Sequence, residues 1–247
     1  MAIFSSADKY TSPDDLTFRI STRSDVEGGR VADLIKERGY KRLAIIYLNN
    51  DFGVSFKDAL KNRLIEKKVK VEIAGEESYL LETNDFRTQL TKIKSVRPEA
   101  IFLVGTARHY AGILKQAKEL NLNVQFLSMR SAEDPVLLAN VETEAEGLIY
   151  TYPFDAASQS ESIKKLTTQL EANNVVADAY AAEGYEGLKL VVSVFIKCGK
   201  EYNCIKSWIQ NLKGYETTFG RISFDKNGDV YYDYFYKIVK NGKFVRL

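Results

Sequence analysis

LAIIYLNNDFGVSFKDAL, residues 43–60, decides the fold. Residues 43–48 (LAIIYL) form an unbroken apolar run of strand length, the pattern of a strand buried on both faces. Two asparagines, an aspartate and Phe52-Gly53 interrupt it, and Phe56, Leu60, Leu64 and Ile65 then recur at helical spacing. Working outward, three further apolar runs stand at 100–105 (AIFLVG), 125–129 (QFLSM) and 147–152 (GLIYTY), with a weaker strand candidate at 69–74. Helical faces alternate with them. Val31, Leu34 and Ile35 precede Gly39, a C-terminal stop. Phe86, Leu90 and Ile93 follow Asn84, a candidate N-cap, and stop before Pro98; Ala111, Leu114 and Ala117 mark another helix, and Asp134-Pro135 opens a short one. Strand and helix alternating over short connections build a parallel sheet covered on both faces, so residues 18–152 read as a doubly wound α/β lobe. In that architecture ligands bind beyond the carboxyl ends of the strands, here at 49–52, 105–108 and 129–131.

After Pro153 the alternation ends. Three helical stretches follow at 160–174, 177–198 and 204–212, then strands at 220–224 and 231–239, and the hairpin signal Asn241-Gly242 before 243–247. Three successive helices belong to a second α/β half for whose sheet the sequence supplies little.

Composition narrows the function. The 247 residues are 45% hydrophobic and 28% charged, and thirty-five basic residues balance thirty-three acidic ones with no block of either sign. A basic stripe for nucleic acid is absent, and no run approaches the ~18 apolar residues of a membrane span. The opening residues lack a signal-peptide pattern, which points either to a cytoplasmic protein or to a lost start. No glycine-rich phosphate loop and no Gly-x-Ser-x-Gly elbow occurs, and His109, the single histidine, reads as a solvated or capping residue at a helix start. No cofactor is expected. Phe52 is either core under the following helix or an aromatic wall for a ligand. Arg130 is either a surface ion pair with Glu133 or Asp134, or a fork for a ligand carboxylate. Cys198 and Cys204, six positions apart, are either a local disulfide or two unrelated thiols.

Taken in order, the motifs resemble the branched-chain amino acid (Leu/Ile/Val) binding family of periplasmic solute-binding proteins of ABC transporters. Ser5-Ser6-Ala7 with Thr11-Ser12-Pro13 and Leu16-Thr17 resembles that family's serine/alanine/threonine loop. Phe18-Arg19 with Asp25 resembles the crossing into its second lobe, and Glu146-Gly147-Leu148 with Tyr152-Pro153-Phe154 the return. Tyr180-Ala181-Ala182 with Tyr185-Glu186 resembles its long first-lobe helix, and Gly220-x-Ile222-x-Phe224-Asp225-x-Asn227-Gly228-Asp229 its closing segment. The resemblance implies a type I periplasmic binding protein fold with two lobes closing on a small-molecule ligand. Residues 1–17 are then a remnant of the first lobe with the ligand loop, 18–152 the second lobe, 153–225 the helical part of an incomplete first lobe, and 226–247 strands returning to the second. It implies an N-terminally truncated chain, a periplasmic or cell-surface location, the Cys198–Cys204 disulfide, and delivery to ABC permease membrane subunits without nucleic acid. The implied ligand residues are Ser6, Ala7 and Thr11 for a carboxylate, Phe52 in place of the usual tyrosine, Gly105, Thr106 and Ala107, and Arg130. Arg130 falls where the family carries an acidic group for an ammonium, so an amide or organic acid is as well supported as an amino acid. A ligand-sensing receptor domain of the same fold is the alternative, and a cytoplasmic α/β enzyme comes last.

Overall fold

The computed structural model describes residues 1–3, 5–6, 10–13, 15–141 and 143–247. The chain divides into two units, one of Ser24–Tyr152 with Phe235–Leu247, the other of Met1–Arg23 with Pro153–Tyr234. The boundaries fall at Arg23 and Tyr234, where the sequence placed them at Thr17 and Asp225.

The α/β unit runs α1 (Ser24–Arg38), β1 (Arg42–Leu48), α2 (Asp51–Glu66), β2 (Glu72–Tyr79), α3 (Arg87–Ser95), β3 (Ala100–Val104), α4 (Ala107–Glu119), β4 (Gln125–Ser128), α5 (Pro135–Asn140) and β5 (Ile149–Tyr152). The strands β8 (Phe235–Lys240) and β9 (Lys243–Arg246) complete it. Among the described residues these strands form one seven-stranded sheet in the order β2-β1-β3-β4-β5-β8-β9. β1 pairs in parallel with β2 and β3, Tyr47 lying opposite Ser78 on one side and Val104 on the other. β8 joins antiparallel, Ile149 opposite Ile238. The parallel strands are buried because helices cover both faces. Val31, Leu34 and Ile35 of α1 and Phe56, Leu60 and Leu64 of α2 share one core with Leu43, Ile45, Phe102, Val104 and Leu127 of the sheet. On the other face α3 lies against β2, Ile93 and Val96 abutting Gly75. Burial of such side chains, at about 1.5–3 kcal/mol each, supplies most of the favourable free energy of this unit.

Two local expectations need correction. The strand placed at 69–74 is β2, shifted to Glu72–Tyr79. It is the sheet's edge, half exposed, so a polar EIAGEESY strand carries no apolar run to mark it. Asn84 does not cap α3. The N-cap is Phe86, without a side-chain cap bond, and buried Gln116 of α4 holds the entry to the helix, accepting from the Phe86 N–H at 2.6 Å and donating to the Asn84 carbonyl at 2.8 Å. The Asn241-Gly242 turn has φ of 52° and 64°, the two left-handed residues of a type I′ hairpin.

The helical unit holds α6 (Glu161–Ala172), α7 (Ala179–Cys198) and α8 (Tyr202–Gln210), then a hairpin of β6 (Tyr215–Thr217) and β7 (Gly220–Ile222). Asp178 caps α7 by accepting from the Ala181 N–H. Cys198 and Cys204 are disulfide-bonded across the α7–α8 turn, with Cα atoms 5.5 Å apart. Ala182, Leu190 and Val194 of α7 are buried, while Leu188, Val192, Phe195 and Ile196 on another face are exposed. Of the strand placed at 231–239, residues 231–234 stay in this unit and only the part from Phe235 joins the large sheet.

Candidate functional site

The carboxyl edge of the parallel strands is where the sheet order reverses, between β1 and β3. There the chain leaves the sheet in opposite directions, the position at which open α/β sheets bind their ligands.

At the end of β1, Asn50 caps α2 by accepting from the Gly53 N–H at 2.9 Å. Gly53 is required, because a Cβ there would lie 1.8 Å from the Leu48 carbonyl oxygen. This contact seats Phe52 in the first turn of α2, half buried, its ring 5.0 Å from that of Phe56.

At the end of β3, Gly105 sits between two tyrosines. The Tyr79 hydroxyl donates to the Val104 carbonyl at 3.0 Å and fills the space a Gly105 side chain would need. The Tyr110 hydroxyl accepts from the Gly105 N–H at 2.7 Å and lies 2.8 Å from the Ser131 hydroxyl. Burial, with Tyr110 close by, pushes the Tyr79 phenol well above the ordinary tyrosine range. Thr106 is exposed and Ala107 buried. Thr106 is the N-cap of α4 but makes no side-chain cap bond; its hydroxyl lies 2.9 Å from His109 Nδ1.

His109 is not solvated. It is buried at 3% exposure, its ring 4.9 Å from that of Tyr79 and 6.4 Å from that of Phe86.

At the end of β4, Arg130 is buried rather than on the surface. Asp134 caps α5 through the Val136 N–H. Glu133 accepts from the Tyr150 hydroxyl and from Lys237, each at 2.6 Å. Arg130 meets Glu27 of α1: its backbone N–H donates to Glu27 Oε1 at 2.7 Å, and its Nε lies 4.0 Å from Oε2. The Thr151 hydroxyl donates to the same Oε1 at 2.6 Å. The arginine that reversed the expected charge is thus balanced by a buried carboxylate at the same strand end.

In the helical unit Ser6 is buried and Ala7 lies outside the described residues. Thr11 donates to Asp229 at 2.7 Å and accepts from Arg19 Nη2 at 2.9 Å. Arg19 and Asp229, both fully buried, pair at 2.6 Å, and Arg19 also donates to the Ser5 carbonyl. This network ties Ser5 and Thr11 to the buried Arg19–Asp229 pair.

The structure therefore gathers Phe52, Gly105, Thr106, Ala107 and Arg130 along one sheet edge of the α/β unit, and places Ser6 and Thr11 in the other unit. Sequence reasoning missed Glu27, Tyr79 and Tyr110. Glu27 had a signal: with Val31, Leu34 and Ile35 it repeats at 27, 31, 34 and 35, a carboxylate on the buried stripe of a helix. Tyr110 shares the face of Leu114 and Ala117 in the same way. Chemically the edge offers hydrogen-bonding groups and aromatic surface. Among the described residues no three or more His, Cys, Asp or Glu side chains are placed to hold a metal ion.

A doubly wound lobe whose chain enters from and returns to a second unit is the architecture of a periplasmic binding protein. Residues 2–243 match the periplasmic binding protein family, and the chain belongs to it. It is 21% identical over 217 residues to the leucine-, isoleucine-, valine-, threonine- and alanine-binding protein of Pseudomonas aeruginosa, covering 87% of this chain and 57% of that one. It is 25% identical over 171 residues to the Leu/Ile/Val-binding protein of Citrobacter freundii, covering 68% and 43%. The chain spans about half the length of the curated relatives it matches. A leucine-binding protein of Thermotoga maritima superposes with a TM-score of 0.81 at 24% identity, over 93% of this chain and 66% of that one. A solute-binding protein of R. palustris in complex with benzoate gives 0.82 at 15%, over 96% and 65%. These relatives are binding and transport proteins, not enzymes.

Proposed function

We propose that this chain is the ligand-capturing body of an extracytoplasmic solute-binding protein that takes a small polar ligand, an amino acid, amide or organic acid, and presents it to the membrane subunits of an ABC importer. The observation that carries this reading is the β1–β3 switch point, with Phe52, Gly105, Thr106 and Ala107 at the strand ends beside it, within a chain of this family. Phe52 offers ring surface to the ligand's apolar part. Gly105 to Ala107 offer backbone and hydroxyl groups at the uncapped start of α4. Arg130, neutralised by Glu27, contributes shape and hydrogen bonding without net charge. Ser6, Ala7 and Thr11 supply ligand contacts from the helical unit. The relatives' ligands, branched-chain amino acids and benzoate, define the classes to test.

The test is a thermal-shift screen against aliphatic amino acids, amides and aromatic acids, followed by titration calorimetry of the hits. A shift confined to one class, weakened by Phe52→Ala, supports the reading. Turnover of a hit, or hits that Phe52→Ala and Thr106→Val leave unchanged, overturns it. A second reading, a receptor domain signalling to a partner, draws support from an extracellular ligand-binding receptor of Desulfohalobium retbaense, which superposes with a TM-score of 0.82 at 21% identity. Co-purification of the intact protein with a permease, or with a signalling partner, separates the two.

A further inference from the structure

His109 is the chain's single histidine and is buried at the sheet edge, with both ring nitrogens engaged. Nε2 lies 3.0 Å from the Leu81 carbonyl oxygen, and Nδ1 lies 2.9 Å from the Thr106 hydroxyl. A carbonyl oxygen only accepts, so Nε2 must carry a proton. The ring packs against Tyr79 and Phe86, and no carboxylate is among these partners. In the neutral ring, Nε2–H leaves Nδ1 as the acceptor. The Thr106 hydroxyl is then the donor to Nδ1, and its single proton is used. A threonine at an N-cap ordinarily turns its oxygen to its own helix; Thr106 makes no such bond, which leaves its remaining lone pair toward solvent at the exposed edge.

We infer that His109 is a positioning residue that fixes Thr106 as a hydrogen-bond acceptor toward the ligand, so that the ligand group facing Thr106 is a donor: an ammonium, an amide N–H or a hydroxyl, and not a carboxylate. This rests on the reading of the β1–β3 switch point as the ligand site. It narrows that reading to amino acids, amides and hydroxylated acids. It also assigns the Leu81 carbonyl a role, because the loop after β2 sets the histidine's tautomer and through it the polarity of the site.

The inference is testable with and without ligand. Having one histidine, the protein labelled with ¹⁵N-histidine gives one pair of ring-nitrogen resonances. The expected pattern at neutral pH is protonated Nε2 with bare Nδ1; an imidazolium or an Nδ1–H tautomer overturns the proposal. For binding, two matched pairs serve as probes: L-leucine with 4-methylpentanoate, which lacks the ammonium, and benzamide with benzoate. Thr106→Val should weaken the donor member of a binding pair about 3- to 10-fold, the range of one neutral hydrogen bond, and leave its partner less affected. Thr106→Ser should keep the wild-type ratio. His109→Phe releases the Thr106 proton and should move the ratio toward the acceptor member; His109→Gln, with an acceptor oxygen and an N–H, should restore it in part. Ratios unchanged across Thr106→Val and His109→Phe overturn the inference while leaving the site intact. If no probe moves the backbone amide resonances of residues 105–110, it is the switch-point reading that fails, and the tautomer measurement alone decides the state of Thr106.

Discussion

Arg130 and Glu27 provide the sharpest quantitative test. Their side chains are 5% and 1% exposed, so the pair is desolvated. Arg130→Ala removes the guanidinium and leaves Glu27 a buried carboxylate held by the residue-130 N–H and the Thr151 hydroxyl. Breaking a buried pair from one side costs about 3–5 kcal/mol. The bonds Glu27 keeps from the residue-130 N–H and the Thr151 hydroxyl place the expected loss near the lower end, about 3 kcal/mol. Glu27→Gln with Arg130→Met removes both charges, keeps an acceptor for the two donors and refills the volume, and should return to within about 1 kcal/mol of the parent. Urea unfolding followed by far-UV circular dichroism measures both. The only tryptophan, Trp208, lies in α8 of the other unit, so its fluorescence reports there and should hardly move. A loss under about 1 kcal/mol for Arg130→Ala, or a double variant no better than the single, would refute the reasoning. Arg130 would then be a solvated side chain, available to a ligand as a full charge.

Three further outcomes are expected. Replacing both Cys198 and Cys204 by serine should cost about 2 kcal/mol, because the bond closes only a short loop, and the loss should show in the fluorescence of nearby Trp208; two free thiols in unreduced, denatured protein would refute the bond. Gly105→Ala should destabilise by about 1–3 kcal/mol through collision with the Tyr79 hydroxyl, and Tyr79→Phe in the same chain should recover part of that; no recovery would mean the clash lies elsewhere. Alkaline pH should unfold the α/β unit, since burial, the largest cause in each case, raises the phenols of Tyr79, Tyr150 and Tyr236, the last to about 12. A raised folded-state pKa gives stability fully present below the unfolded value of about 10, lost as pH climbs through the folded values. A flat denaturation midpoint from pH 9 to 11.5 would contradict it.

What the sequence by itself determined is what local periodicity encodes. The unbroken runs at 43–48 and 100–104 could only be strands covered on both faces, and the 31, 34, 35 and 56, 60, 64 spacings could only be helices over them. Asn241-Gly242 fixed its hairpin because two left-handed residues in succession suit few other pairs. The candidate edge at 49–52, 105–108 and 129–131 followed from the parallel reading alone, since every parallel strand ends on the same side. Polar partnership was different. Glu27 reaches Arg130 across 103 positions, Arg19 reaches Asp229 across 210, and Tyr79 reaches Val104 across 25. A periodic pattern states that a side chain faces inward, but not which group waits there, because the partner comes from another element placed by the packing of the whole sheet. Arg130 therefore read as either a surface ion pair or a ligand fork, and His109 as a solvated or capping residue. Only the tertiary structure, by desolvating each beside a specific acceptor, decided that one is neutralised and the other directs a threonine hydroxyl.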